Sequence, residues 1–116
     1  MREVEKAEIH PILGPIEVEL ELLERHVNIL RTVIEMEPIG IISISDTLGY
    51  PQHKVRYSLR LLEQEGLIRP SPKGAVSTKQ VAPFLKEVVK LLDKMKKYLG
   101  SIQSSINRLA AAVQES

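Results

Sequence analysis

A stretch in the middle of the chain most restricts its fold, because it has the pattern of two short helices around a tight turn. Ile41, Ile44 and Leu48 are spaced i, i+3 and i+7 and therefore share one face of a helix. Gly49 tolerates the positive φ that commonly closes a helix. Pro51 suits the first turn of the next helix, where its missing N–H would have had no partner. Two short helices around such a turn predict a helix-turn-helix.

The second helix of this motif is predicted over residues 51–65 and has two different faces. Val55, Leu59 and Leu62 share the apolar face. The opposite face carries polar side chains: Gln52, His53, Arg56, Tyr57 and Arg60, with Lys54 at its flank. Since an α-helix fits the major groove of B-DNA, this polar face has the composition of a recognition surface.

A β-hairpin is predicted directly after these helices. Residues 67–69 are β-prone, residues 70–74 hold two prolines, a serine and a glycine typical of turns, and residues 75–77 can return as a second strand. A hairpin in this position corresponds to the wing of a winged helix.

Residues 41–79 resemble the winged helix-turn-helix transcription regulators of bacteria and archaea, among them MarR-type, ArsR-type and small archaeal proteins. The resemblance covers about a third of the chain. The matching residues are Ile44, Ser45, Leu48, Gly49, Val55, Leu59, the run 62–68, Gly74 and the run 77–79. The resemblance implies a mainly α fold with a small β-hairpin wing, and a role as a DNA-binding transcriptional regulator.

An amphipathic helix is predicted on the N-terminal side of the motif, over residues 16–37. Its apolar residues alternate spacings of four and three, which predicts one stripe packed behind the helix-turn-helix: Ile16, Leu20, Leu23, Val27, Leu30 and Ile34. The winged-helix domain is therefore expected over residues 16–79. Residues 1–15 are expected to form an N-terminal arm, and an ordered arm, a short strand and a frayed end all fit their sequence.

The C-terminal segment, residues 80–116, contains a heptad pattern. Its seam alternates spacings of three and four: Leu85, Val88, Leu92, Met95, Leu99, Ile102, Ile106, Leu109 and Val113. A helix carrying this seam is about 42 Å long at 1.5 Å per residue, and a monomer of 13.1 kDa cannot bury so long a stripe. The seam therefore predicts a homodimer, with a bend rather than a break at Gly100. Parallel pairing, antiparallel pairing and a four-helix dimer core all stay open.

The expected DNA contacts divide into base readout and backbone contacts. Gln52, His53 and Arg56 are expected at base edges, because Arg can bond guanine O6 and N7 and Gln can bond adenine N6 and N7. Tyr57 is expected either at a phosphate or packed against the wing. Lys54 and Arg60 on the helix are expected at phosphates. The residues of the wing and its flank are expected at the minor groove or at backbone phosphates: Arg69, Lys73 and Lys79. The alternative is that this polar surface is only solvated.

The charge distribution predicts a basic face opposite an acidic one. The chain has a net charge of +1, but residues 1–40 carry four basic and nine acidic side chains, whereas residues 41–79 and 80–116 each carry six basic and three acidic ones. The chain has no cysteine, which fits a reducing cytoplasm, and no apolar run reaches the ~18 residues of a membrane span. Its glycines are scattered and its three histidines lie on separate elements, so no enzymatic activity, cofactor or metal site is expected.

Two functions therefore fit the sequence. The first is a homodimeric regulator that binds double-stranded DNA at an inverted repeat, with helix 51–65 in the major groove. The second is a winged-helix module that binds a partner protein without specific DNA binding, because the fold alone does not determine function. A small-molecule effector stays open in both.

Overall fold

The computed structural model describes residues 11–115. Its helices are α1 (Gly14–Met36), α2 (Ile41–Leu48), α3 (Gln52–Gln64) and α4 (Val81–Glu115), and its strands are β1 (Ile68–Ser71) and β2 (Gly74–Ser77). The predicted fold class, mainly α with a small β-hairpin wing and a long C-terminal helix, is confirmed. The chain divides into two compact units between Lys79 and Gln80. Most of the predicted N-terminal arm, residues 1–10, lies outside the described residues.

The turn between α2 and α3 has the predicted glycine geometry. Gly49 has φ +82° and donates its N–H to the Ser45 carbonyl at 2.8 Å, a conformation in which other residues are strained. The Ser45 hydroxyl donates to the Tyr50 carbonyl at 2.6 Å, and the Asn28 amide of α1 donates to the Tyr50 hydroxyl at 3.1 Å. Pro51 is the N-cap, so α3 begins one residue later than predicted.

The core of the first unit lies where α1, α2 and α3 meet. Its fully buried apolar side chains come from all three helices: Ile29 and Val33 from α1, Ile44 from α2, and Val55 from α3. Burying each such side chain contributes about 1.5–3 kcal/mol. This aliphatic contact fixes which face of α3 points inward and which faces solvent.

The prediction that the apolar stripe of α1 packs behind the helix-turn-helix is wrong. Only Leu30 of that stripe is buried, whereas Ile16, Leu20, Val27 and Ile34 are 41–55 % exposed and Leu23 is intermediate. The buried face instead carries Arg25, Ile29, Leu30, Thr32 and Val33. The physical reason is that α1 is apolar on two sides, so a second set of apolar residues was available to the core.

The wing is a short antiparallel hairpin. Ile68 pairs with Ser77 and Ser71 pairs with Gly74, so the turn contains only residues 72 and 73 and is shorter than predicted. Ile39 extends the sheet, because it exchanges backbone hydrogen bonds with Ala75 at 3.2 and 2.8 Å. These bonds tie the hairpin to the segment between α1 and α2.

The second unit is the helix α4, which is 35 residues long, or about 52 Å at 1.5 Å per residue. The helix runs through Gly100 without a break, and Pro83 is its third residue, where a missing N–H costs no intrahelical bond. Seven seam residues are 39–72 % exposed: Leu85, Leu92, Leu99, Ile102, Ile106, Leu109 and Val113. The remaining two, Val88 and Met95, are half-buried.

Candidate nucleic-acid interface

The polar face of α3 is oriented by the apolar residues on its other side. Val55, Ser58 and Leu62 are buried at positions i, i+3 and i+7. The residues predicted to contact DNA therefore point outward. Gln52, His53, Arg56, Tyr57 and Arg60 are exposed, and Lys54 is half-buried.

Ser58 is a polar residue at a core position, and sequence reasoning did not identify its partners. The Arg25 Nε of α1 donates to the Ser58 Oγ at 3.0 Å, and the His26 Nδ1 lies 2.8 Å from the same oxygen. The Arg25 guanidinium carbon lies 6.0 Å from the centre of the Tyr57 ring, and the rings of His26 and Tyr57 are 6.2 Å apart. Ser58 lies three residues after Val55 on the apolar face of α3, and a serine in that position indicates a polar contact within the core.

These contacts place Tyr57 against α1. Tyr57 is 46 % exposed, and its ring lies beside Arg25 and His26. Of the two positions expected for Tyr57, packing against the wing is not the observed one.

The hydrogen bonds at Ser58 favour neutral His26. The Ser58 oxygen accepts the Arg25 N–H, so its own proton can be donated to an unprotonated His26 Nδ1. Burial lowers the pKa of His26 below its ordinary value of 6.5, and the adjacent Arg25 charge lowers it further. The arrangement at α1–α3 is therefore most stable with neutral imidazole.

Lowering the pH below 6.5 is expected to reduce the free energy of unfolding through His26. Because the folded-state pKa is the lower one, the unfolded chain takes up the proton first. The stabilising contribution is complete above 6.5 and is lost as the pH falls toward the folded-state pKa. Urea unfolding of the wild type and His26→Asn between pH 7.5 and 5 measures this effect. Parallel pH profiles for the two proteins would contradict it.

A cavity of about 380 Å³ lies on the side of α3 that faces α1. It is lined by Arg25, His53, Lys54, Arg56, Tyr57 and Arg60. Four of these six side chains are permanently cationic at neutral pH and none is a carboxylate. The cavity therefore suits an anion.

A larger cleft of about 710 Å³ lies between α3 and the wing. Arg56 and Arg60 line it from the helix and Arg69 lines it from β1, together with the acidic Glu63. The structure thus brings three predicted DNA-contact residues to one concave surface. Lys73 at the hairpin turn and Lys79 after β2 are exposed but do not line this cleft.

Within residues 11–115, no group of three or more His, Cys, Asp or Glu side chains could hold a metal ion. Among the described helices, none is both long enough and apolar enough to cross a membrane.

Comparison with known proteins adds evidence on the fold. No family model matches the sequence, and no curated protein matches it. Among solved structures, the activation domain of the phage T4 transcription factor MotA is similar, with a TM-score of 0.51 and 18 % sequence identity. The match covers 63 % of this chain and 78 % of that domain. At this identity the match shows a similar fold over that part of the chain, and it does not single out the MarR-type or ArsR-type regulators.

Proposed function

We propose that this protein is a homodimeric, DNA-binding transcriptional regulator that inserts α3 into the major groove of an inverted-repeat site. The observation that carries the proposal is the exposed polar face of α3, which presents Gln52, Arg56 and Arg60 to solvent. It is a binding protein rather than an enzyme. The fold similarity to a domain of a transcription factor supports a role in transcription.

The position of this face within the motif supports DNA binding over simple solvation. α3 is the second helix of the helix-turn-helix, and its N-terminal residues are the ones that reach base edges in such motifs. We assign Gln52, His53 and Arg56 to bases. Arg69 of the wing lines the same cleft as Arg56 and Arg60, so the wing can contact the DNA backbone beside the groove. Phosphate contacts of this kind fix the register and orientation of a protein on DNA.

Two exposed apolar stripes support the homodimer. One is the stripe on α1 that the core leaves uncovered, including Ile16, Leu20 and Val27, and the other is the heptad seam of α4. Contiguous exposed apolar surface of this kind marks protein–protein contact, and a heptad seam is completed by a second helix with the same repeat. A second copy of this chain supplies such a helix.

The dimer predicts the architecture of the DNA site. Two copies related by a two-fold axis present their α3 helices to successive major grooves. Half-site centres are then about 10 bp apart, or a multiple of that spacing, and the two halves are inverted.

Arg56→Ala and Lys73→Ala are expected to change DNA binding in different ways. The first removes a base contact, so it costs about 1–3 kcal/mol and relaxes specificity at one base position. The second removes a phosphate contact, so it weakens all duplexes alike and lowers the salt slope by about one. Fluorescence anisotropy titrations on a duplex panel at several salt concentrations measure both effects. If both variants bound every duplex like the wild type, the assigned face would be wrong.

A second candidate function is a winged-helix module that recruits a partner protein without specific DNA binding. It is favoured by the fold neighbour, which is described as an activation domain. A gel-shift assay of the wild type on random duplex at low and moderate salt separates the two candidates. No shift at either salt concentration supports the interaction module, whereas a shift on random duplex combined with a sequence preference on the duplex panel supports the regulator.

A further inference from the structure

We infer that the cavity between α1 and α3 binds one phosphate group of the DNA backbone, and that Arg25 of α1 is a ligand of that phosphate. This inference rests on the proposed DNA-binding function and adds a contact from outside the helix-turn-helix. The cavity is the one lined by Arg25, His53, Lys54, Arg56, Tyr57 and Arg60.

Arg25 is a buried cation. Its side chain is only 6 % exposed, yet it forms no ion pair with any described residue. Its contacts are one hydrogen bond to the Ser58 hydroxyl and the face of the Tyr57 ring. Burying a charge without an opposite charge is costly, and a bound anion removes that cost.

Part of the Arg25 guanidinium is still accessible. No side-chain nitrogen or oxygen in the described part of the chain is both fully buried and without a hydrogen bond. The terminal amino groups of Arg25 therefore keep contact with solvent, and the side chain lines the cavity. The bond from Nε to Ser58 fixes the plane of the guanidinium. Its remaining donors thus form a preorganised fork, which is the geometry that binds phosphate oxygens in pairs.

The side chains around the cavity are mainly cationic. Arg60, which is expected at the DNA backbone, brings a second guanidinium group to the same cavity, and no carboxylate of residues 11–115 lines it. The cavity flanks the helix that we place in the major groove, where a phosphodiester strand borders the groove. A backbone phosphate therefore fits both the charge and the location, whereas a free phosphate ion fits the charge alone.

The test compares Arg25→Gln with Arg31→Gln, a matched control on the same helix. Arg31 is exposed, pairs with Glu35 at 3.6 Å and does not line the cavity. Arg25→Gln is expected to weaken binding about tenfold on every duplex, and to lower the salt slope by about 0.9, the value for one phosphate contact. Arg31→Gln is expected to bind like the wild type. Equal DNA affinities and equal salt slopes for the wild type and Arg25→Gln would overturn the inference. In that case, a loss of DNA affinity in Arg56→Ala would still support the proposed function.

A measurement on the wild-type protein keeps the inference testable if Arg25→Gln does not fold. Duplexes in which single phosphates are replaced by neutral methylphosphonates are titrated with the wild type and with Arg25→Lys. One position per half-site is expected to weaken the wild type about tenfold and to weaken Arg25→Lys less. The absence of any such position would overturn the inference, and the absence of all duplex binding by the wild type would overturn the proposed function as well.

Titration with inorganic phosphate identifies the source of the anion. NMR of the Arg25 Nε–H group is expected to show weak binding of free phosphate that duplex DNA displaces. If free phosphate binds, duplex DNA does not displace it, and DNA binding does not depend on Arg25, then the cavity binds a small anion and the inference is wrong.

Discussion

Ile102→Glu in the α4 seam is expected to convert the proposed homodimer into a monomer. Ile102 is 56 % exposed in the single chain, and its burial in a paired seam contributes about 1.5–3 kcal/mol per copy. The substitution removes that contribution twice per dimer and places two carboxylates at a desolvated contact. The dimer dissociation constant should therefore rise by at least about 10²–10⁴-fold, as measured by sedimentation equilibrium.

Ser104→Glu is the matched control for this prediction. Ser104 lies two residues away on the same helix and is exposed, but it falls outside the seam. The control adds the same charge and should leave the dimer intact. Far-ultraviolet circular dichroism checks that both variants keep a folded winged helix. A wild type that sediments as a monomer at micromolar concentration, or two variants that sediment alike, would contradict the dimer.

Gly74→Ala is expected to lower the free energy of unfolding by about 2–5 kcal/mol. Gly74 begins β2 with φ +134°, a backbone conformation that other residues rarely adopt. A Cβ added there would lie 2.5 Å from the carbonyl carbon of Ile39 and 2.6 Å from its oxygen. Both are backbone atoms of the strand extension that holds the wing, so they cannot rotate away as a side chain can. Urea denaturation measures the loss.

Gly40→Ala is the control for this substitution. Gly40 follows Ile39 directly, has φ −102°, and would place its Cβ more than 4 Å from any atom outside the two neighbouring residues. The loss of a glycine N-cap should cost less than about 1 kcal/mol. Similar losses for the two variants would show that the close approach of Gly74 to Ile39 does not hold the wing in place.

The helix-turn-helix was predictable because local residues determine it. Gly49 sets the turn through its own φ, and the apolar spacings of Ile44 and Val55 define the two helix faces within a few residues. The outward direction of Arg56 follows from the same spacings. The pairing of Ile39 with Ala75 joins residues far apart in sequence, and no local pattern indicates it.

The two sides of α1 could not be assigned from sequence. Val27 and Ile34 have the same apolar character as Ile29 and Val33, yet only the second pair is buried. Helical periodicity identifies an apolar face, but two overlapping faces need a partner surface to decide between them. Arg25 was missed for a related reason. A charged residue is normally assigned to the surface, and its burial here depends on Ser58 and Tyr57 from another helix.

In vitro selection of bound duplexes from a random library tests the central claim most directly, that paired copies present α3 to DNA. The expected result is an enriched inverted repeat whose half-site centres are about 10 bp apart or a multiple of that distance. Recovery of no common sequence, at a salt concentration where the protein still binds DNA, would contradict base readout by α3. Recovery of single, unpaired half-sites would contradict the dimer.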